Sequence, residues 1–247
     1  MHRLVGLILL ISVAVAHGQI LLSGSCSTDI DNKWDFETFY NYKKLFGQWY
    51  EIERINNSFE KGDCSTLAMK FVFTFRTGLL TQLSHREVVN GQLSMRNGAL
   101  VPIPPEYSAI YEDGVSYDFV VLKTNYNDYA ILYSCQNTTN GKSVMAWKLS
   151  RTPTPSNTSL TNFDTVVKNN TDLVNATWFT PSHSKEACTI RNNAINLQNT
   201  ANGKSGEFSF TQQYQLVNNL KSRVIKISRR CNRILEYLVM SVFMLTR

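Results

Sequence analysis

Apolar and polar residues alternate most regularly between Ser65 and Phe75. Leu67, Met69, Phe71, Phe73 and Phe75 fall on one face, and Thr66, Lys70, Thr74 and Arg76 on the other. A period of two over this length predicts a strand with one solvated face. Glu51 to Ile55 roughly alternates as well, and the mostly polar stretch Asn56 to Gly62 reads as a loop. Leu79 to Val89 predicts a strand, and Asn90-Gly91 then signals a type I′ hairpin into Gln92 to Met95. Val101-Pro102-Ile103-Pro104-Pro105 cannot donate a full ladder and is expected at an edge or in a connection. Tyr107 to Tyr111, Val115 to Thr124, Tyr129 to Cys135 and Lys142 to Arg151 complete a series of roughly eight strands. Hairpins between them predict an all-β, antiparallel up-and-down barrel or a sandwich, which pattern alone does not separate. Pro153-Thr154-Pro155 ends the series. Ser159 to Asn169 carries Leu160, Phe163, Val166 and Val167 at helical spacing, with Ser159 or Thr161 as cap, and Ala176 to Phe179 is a short ninth strand.

The two ends of the chain differ from this middle. Met1-His2-Arg3 is basic, Leu4 to Ala16 is apolar, and Ala16-His17-Gly18 offers small residues. Residues 1–18 therefore read as a secretory signal peptide, too short for the roughly 20 apolar residues of a membrane span. Residues 19–190 form the main domain. The net charge of +6 does not belong to it. From Gln19 to Cys188 there are 15 Lys plus Arg against 17 Asp plus Glu, a net of −2; from Thr189 to Arg247 the count is 9 against 2, a net of +7. The domain thus lacks a nucleic-acid footprint. The basic extension 191–247 begins Asn-rich and reads as disordered. Its Lys221 to Arg233 suits an anionic membrane surface or a receptor, but the simplest reading is a dispensable extension that carries Cys231 with it.

The candidate chemistry is sparse. Cys26, Cys64, Cys135, Cys188 and Cys231 include no CxxC pair, and only His85 and His183 follow the signal segment, so no metal site is expected. In a secreted chain the first four cysteines read as disulfides, with three pairings open. Asn56, Asn137, Asn157, Asn169 and Asn175 begin N-x-S/T sequons, which places them on the surface if glycosylated. GxSxG, GxGxxG and P-loop patterns are absent, and nothing marks a catalytic triad.

Three separated stretches carry a resemblance to a known family. They are Gly47-Gln48-Trp49-Tyr50-Glu51-Ile52-Glu53-Arg54, running on through Asn57-Ser58-Phe59-Glu60-Lys61-Gly62 to Cys64; Thr124-Asn125-Tyr126-Asn127-Asp128-Tyr129 through Cys135; and Trp147-Lys148-Leu149-Ser150-Arg151. With four cysteines in register, the chain resembles the lipocalins, in the branch of apolipoprotein D, Lazarillo and the insect bilin-binding proteins. The resemblance runs from about Cys26 to Cys188. Two departures stand out: Asn125 replaces the usual acidic residue, and Cys26-Ser27 replaces Cys-Pro.

The resemblance implies an eight-stranded antiparallel barrel with one helix outside it. Trp49, after Gly47, would close the narrow end with Arg151 lying across it, and Cys26 would pair with Cys135 and Cys64 with Cys188. The pocket would be lined by Leu67, Met69, Phe71 and Phe73, by Tyr117, Phe119 and Val121, by Ala130, Leu132 and Ser134, and by Met145 and Trp147. Such a set suits a small hydrophobic partner: a fatty acid, a sterol-like lipid or a bilin; no cofactor is required, a bound bilin being the one candidate. Two alternatives accompany this non-catalytic carrier. One is a lipid-directed enzyme working through a free Cys64; the other is a signalling or structural glycoprotein with a filled barrel. His85, flanked by polar residues, is expected to be exposed rather than a haem ligand. Oligomeric state is not set by the sequence.

Overall fold

A computed structural model describes residues 20–26, 41–74, 78–103 and 106–190. Residues 1–18, expected to be a signal peptide, and the extension 191–247 with Cys231 fall outside the described residues. The elements run β1 (Ile20–Leu22), a 3-10 turn (Asn41–Leu45), β2 (Gly47–Ile55), β3 (Asp63–Thr74), β4 (Gly78–Val89), β5 (Gln92–Ile103), β6 (Glu106–Tyr111), β7 (Ser116–Thr124), β8 (Tyr129–Thr138), β9 (Gly141–Ser150), α1 (Asn157–Lys168) and β10 (Trp178–Phe179). Each strand from β2 to β9 pairs antiparallel with the next, and β2 returns to pair with β9. That last pairing decides for a closed eight-stranded barrel over a sandwich.

The local chemistry accounts for most of the turns. Asn90 and Gly91 have φ of +54° and +77°, the paired left-handed conformation of a type I′ turn. Asn125 replaces the acidic residue without loss, because its Oδ1 accepts the Asp128 and Tyr129 N–H groups at 2.8 and 3.1 Å. Pro102 pairs with Tyr107 of β6, beyond the point where β5 leaves β4 at Leu100, so its missing N–H interrupts no ladder on that side.

Three expectations are corrected. β1 is a strand that composition did not announce, and it pairs with the Lys142–Val144 end of β9. β10 holds only Trp178 and Phe179. The cap of α1 is Ser156, whose Oγ accepts the Ser159 N–H at 3.2 Å; Ser159 itself is buried inside the first turn, and Thr161 bonds back to the Asn157 carbonyl. The helix starts early because Ser156 is extended, the conformation an N-cap needs. Phe163 then packs on the outer face of β8 against Tyr129 and Ile131. Burying that ring contributes roughly 2–3 kcal/mol.

The end of the barrel near the 3-10 turn is closed by Trp49. The ring is fully buried, and its Nε1 donates to the Leu45 carbonyl at 2.7 Å. Arg151 lies over the ring with Cζ 3.6 Å from its centroid, and donates to the carbonyls of Tyr126, Gln48 and Lys44 at 3.0–3.1 Å. Gly47 has φ +99°, which favours glycine, and a Cβ there would crowd Arg151 Nη1 at 3.2 Å.

Cys26 is joined to Cys135 and Cys64 to Cys188, the pairings that the resemblance implies. The first ties the segment after β1 to β8, and the second ties the start of β3 to the chain beyond β10. Each constrains a long loop, typically worth about 2–4 kcal/mol. The five sequon asparagines are all exposed.

Arg151→Ala removes a ring contact and three hydrogen bonds together. It is expected to cost about 2–4 kcal/mol in urea unfolding, and Arg151→Lys to recover less than half of that. A loss below about 0.5 kcal/mol would show that Trp49 closes the barrel unaided. In the same assay Ser156→Ala should cost about 1 kcal/mol, while Thr161→Ala should be near neutral.

Candidate functional site: the barrel interior

The connections β2–β3, β4–β5, β6–β7 and β8–β9 gather at one end, the mouth, opposite the end covered by Trp49. The interior differs from one end to the other. Toward the closed end it is aromatic and apolar. Tyr107 stacks on Phe119 with centroids 5.6 Å apart, and Tyr42 lies 6.4 Å from Tyr107. Met69, Leu83, Leu100, Leu132 and Leu149 fill the space around them. Toward the mouth, Phe59 of the β2–β3 loop stacks on Tyr117 at 5.5 Å, and Tyr117 stacks on Trp147 at 5.1 Å. A groove of about 640 Å³ opens beside this stack, between the loop and the β4–β5 hairpin, with Lys61, Glu87, Asn90 and Leu93 among its lining.

Between these layers lies a group of buried polar side chains. β2 contributes Glu51 and Arg54, which form an ion pair through Glu51 Oε1. Both point inward because a bulge between Glu51 and Glu53 shifts the register against β9, turning Glu53 outward to Lys148. Ser65 of β3 donates to Glu51 Oε2 at 3.1 Å and lies 2.9 Å from His85 Nε2 on β4. Glu60 comes from the loop. Its backbone N–H is held by Asn57 Oδ1 at 2.8 Å, and its Oε2 accepts from the Asn57 amide and, at 2.8 Å, from Trp147 Nε1. Glu87 accepts the Lys61 and Gly62 N–H groups at 2.9 and 2.6 Å. Arg96 pairs with Asp113 and donates to the Phe59 carbonyl at 2.9 Å, with its guanidinium against the Phe59 and Tyr111 rings.

Burial sets the protonation here. It raises the Glu51 carboxyl above the ordinary range, with Glu60 pushing the same way and the paired Arg54 guanidinium opposing. Burial also lowers His85, against the pull of the Glu60 and Glu87 carboxylates. The Tyr111 and Tyr117 phenols, 3.4 Å apart, are held neutral by burial well above the ordinary tyrosine range.

Of the positions expected inside, Leu67, Met69, Tyr117, Phe119, Val121, Ala130, Leu132, Met145 and Trp147 all belong to the single interior cluster. Ser134 is buried, but its hydroxyl is taken by the Asp118 carbonyl at 2.6 Å. Phe71 stands at the closed end, 37 % exposed, against Phe46 with centroids 4.4 Å apart. The side chain of Phe73 lies outside the described residues. His85 is a correction: it is 3 % exposed, not a surface histidine, because β4 turns Thr81, Leu83, His85 and Glu87 into the barrel. Cys64 is held in a disulfide and offers no thiol.

Sequence reading missed Phe59, Glu60, Glu51, Arg54 and Arg96 as interior groups. On β4 and β5 both faces carry polar residues, so alternation shows no contrast there. One signal was present. The Asn90-Gly91 turn sets the register that pairs His85 with Arg96, placing both on one face.

Comparison with known proteins agrees with this geometry. The model of the lipocalin / cytosolic fatty-acid binding protein family matches residues 47–185. The crustacyanin-A1 subunit of Homarus gammarus is 31% identical over 124 residues, 47% of this chain; the match spans 64% of that subunit's length. Apolipoprotein D of Macaca fascicularis is 30% identical over 144 residues, 55% of this chain and 71% of the relative. Among solved structures, insecticyanin from the tobacco hornworm Manduca sexta superposes with TM-score 0.59 at 24% identity, over 70% of this chain and 94% of that one. Lobster apocrustacyanin A1 gives 0.56 at 24% identity, over 68% and 93%. At those identities the structures speak for the fold alone. The family match covers more than half of the sequence; the chain belongs to the lipocalin / cytosolic fatty-acid binding protein family.

Proposed function

We propose that this chain is an extracellular, glycosylated carrier that holds a small hydrophobic molecule in its barrel, without catalysis. The observation that carries the reading is the ring stack Phe59–Tyr117–Trp147, built across the mouth by a loop and two strands. A flat apolar ligand takes the place of Phe59 on that stack while the loop moves outward. Two disulfides, five exposed sequons and the signal-like start support an extracellular setting.

The polar layer narrows how a ligand sits. Glu51 and Glu60 disfavour an anion deep in the barrel, so a fatty acid keeps its carboxylate at the mouth near Arg96 and Lys61. A sterol-like lipid or a bilin instead presents hydroxyl or N–H donors to Glu60. A ligand burying about 300 Å² gains roughly 7 kcal/mol before ordering costs, which points to micromolar affinity. One observation favours a second reading, a filled barrel with a signalling or structural role. Phe59 and Glu60 already pack inside.

Titration of the protein with oleate, cholesterol and biliverdin, followed by tryptophan fluorescence, separates the two. At least one is expected to quench with a dissociation constant near about 1 μM. Tyr117→Ala should weaken that constant about tenfold through loss of stacking worth ~1 kcal/mol and more. If none quenches, and mass spectrometry of the purified protein finds no apolar companion, the carrier reading fails and the filled barrel stands.

A further inference from the structure

The buried polar layer brings together three side chains that a ligand carrier does not need. Glu51 on β2, Glu60 in the β2–β3 loop and His85 on β4 each turn one donor atom to a common point, all within 4.8 Å of one another. His85 Nε2 lies 3.6 Å from Glu60 Oε1 and 3.9 Å from Glu51 Oε2. Tetrahedral zinc, with bonds of about 2.1 Å, asks for donors about 3.4 Å apart. Small side-chain movements therefore complete the arrangement. We propose that Glu51, Glu60 and His85 form a site for one divalent cation of the zinc type, inside the barrel.

Two independent features support this. The first is how the carboxylates are held. Arg54 takes Glu51 Oε1, and Asn57 with Trp147 takes Glu60 Oε2. Glu60 is thus fixed through Oε2 and turns Oε1 to the imidazole, while Glu51, held through Oε1, turns Oε2 to the Ser65 hydroxyl that also meets His85 Nε2. Outer partners orient metal ligands in this way. The second is charge. The layer holds Glu51, Glu60 and Glu87, all buried, yet among the described residues Glu51 alone has an arginine partner within ion-pair distance. Glu60 meets the imidazole and the neutral donors of Asn57 and Trp147, and Glu87 accepts from backbone N–H groups. Buried carboxylates without a counter-charge are costly, and a divalent ion supplies one.

The donor set selects the ion. One imidazole and two carboxylates, with the Ser65 hydroxyl as a nearby neutral oxygen, suit zinc or cobalt(II). Calcium needs six to eight oxygens and is poorly served. The site shares Glu60 and Trp147 with the mouth, so an ion would also pin the β2–β3 loop inward. The inference does not rest on the carrier reading.

The test uses the full secreted chain, stripped with EDTA, in a Cys231→Ser background that removes the one cysteine outside the two disulfides. Zinc titration by calorimetry should give one equivalent, with a saturating change in tryptophan emission, since Glu60 accepts from Trp147. Cobalt(II) should give visible ligand-field bands without a thiolate charge-transfer band. Glu60→Gln and His85→Gln should each weaken zinc binding at least about 100-fold. If either fails to fold, NMR of the unsubstituted chain decides: zinc must shift the His85 ring nitrogens at one equivalent. The proposal is overturned if millimolar zinc leaves emission and the His85 ring unchanged. It is equally overturned if stoichiometric binding survives both substitutions. Neither result bears on quenching by the apolar ligands, so the two readings fail separately.

Discussion

The pairing of β2 with β9 is the constraint on which the rest of this structure depends. It closes the sheet, so no long edge is left open, and it does so through a bulge. Tyr50 opposes Ser150 and Glu51 opposes Leu149, but Glu53 opposes Lys148 after the shift. Before the bulge, Trp49 and Glu51 face inward. After it, Arg54 faces inward and Glu53 faces out to Lys148. One irregular residue therefore sets Arg54 beside Glu51 and allows a charged pair to exist inside a barrel. Gly47 and Arg151 secure the same seam from the end, where the guanidinium binds carbonyls on both sides of it.

A closed barrel of eight strands must fill its interior with side chains or with a guest. This chain divides the task. The closed end is filled with rings and aliphatic chains, which need no partner. The middle carries carboxylates, two arginines, a serine and a histidine, and these survive burial through mutual contacts. Glu60 belongs to both the loop and the interior, and its bond to Trp147 joins positions 87 residues apart. The loop is consequently part of the core, although it has no regular structure.

The frame was readable from the chain and the polar layer was not, for one physical reason. Alternation reports contrast between two faces. On β3, with Leu67 and Met69 against Thr66 and Lys70, contrast is high and the strand is plain. The motif around Trp49 and the stretch ending at Arg151 likewise matched their family roles. On β4, Thr81, His85 and Glu87 point inward while Gln82, Ser84 and Arg86 point out. Both faces are polar, so sidedness vanishes. Buried polar groups are legible only when their partners are known, and here the partners sit on β2, β5 and a loop. The same limit hid the cap: Ser156, Ser159 and Thr161 are chemically alike, and only the extended backbone after Pro155 distinguishes the first. β1 escaped because three residues cannot show a period.

These points bear on how the container and its contents relate. A ligand that displaces Phe59 from Tyr117 must also disturb the Asn57 turn that holds the Phe59 and Glu60 N–H groups. That turn in turn positions the Glu60 carboxylate against Trp147 and His85. Opening the mouth and rearranging the buried charges are therefore one event, not two. The cost of a partly uncovered carboxylate falls on the open state, because Glu60 gives up the Trp147 donor before water or ligand replaces it. Apolar fit alone would favour any hydrophobe of the right size. Coupling entry to Glu60 adds a polar criterion, and a guest that brings a donor to that carboxylate restores what opening removed. On the proposed carrier reading, selectivity would reside in a loop glutamate as much as in the aromatic wall around it.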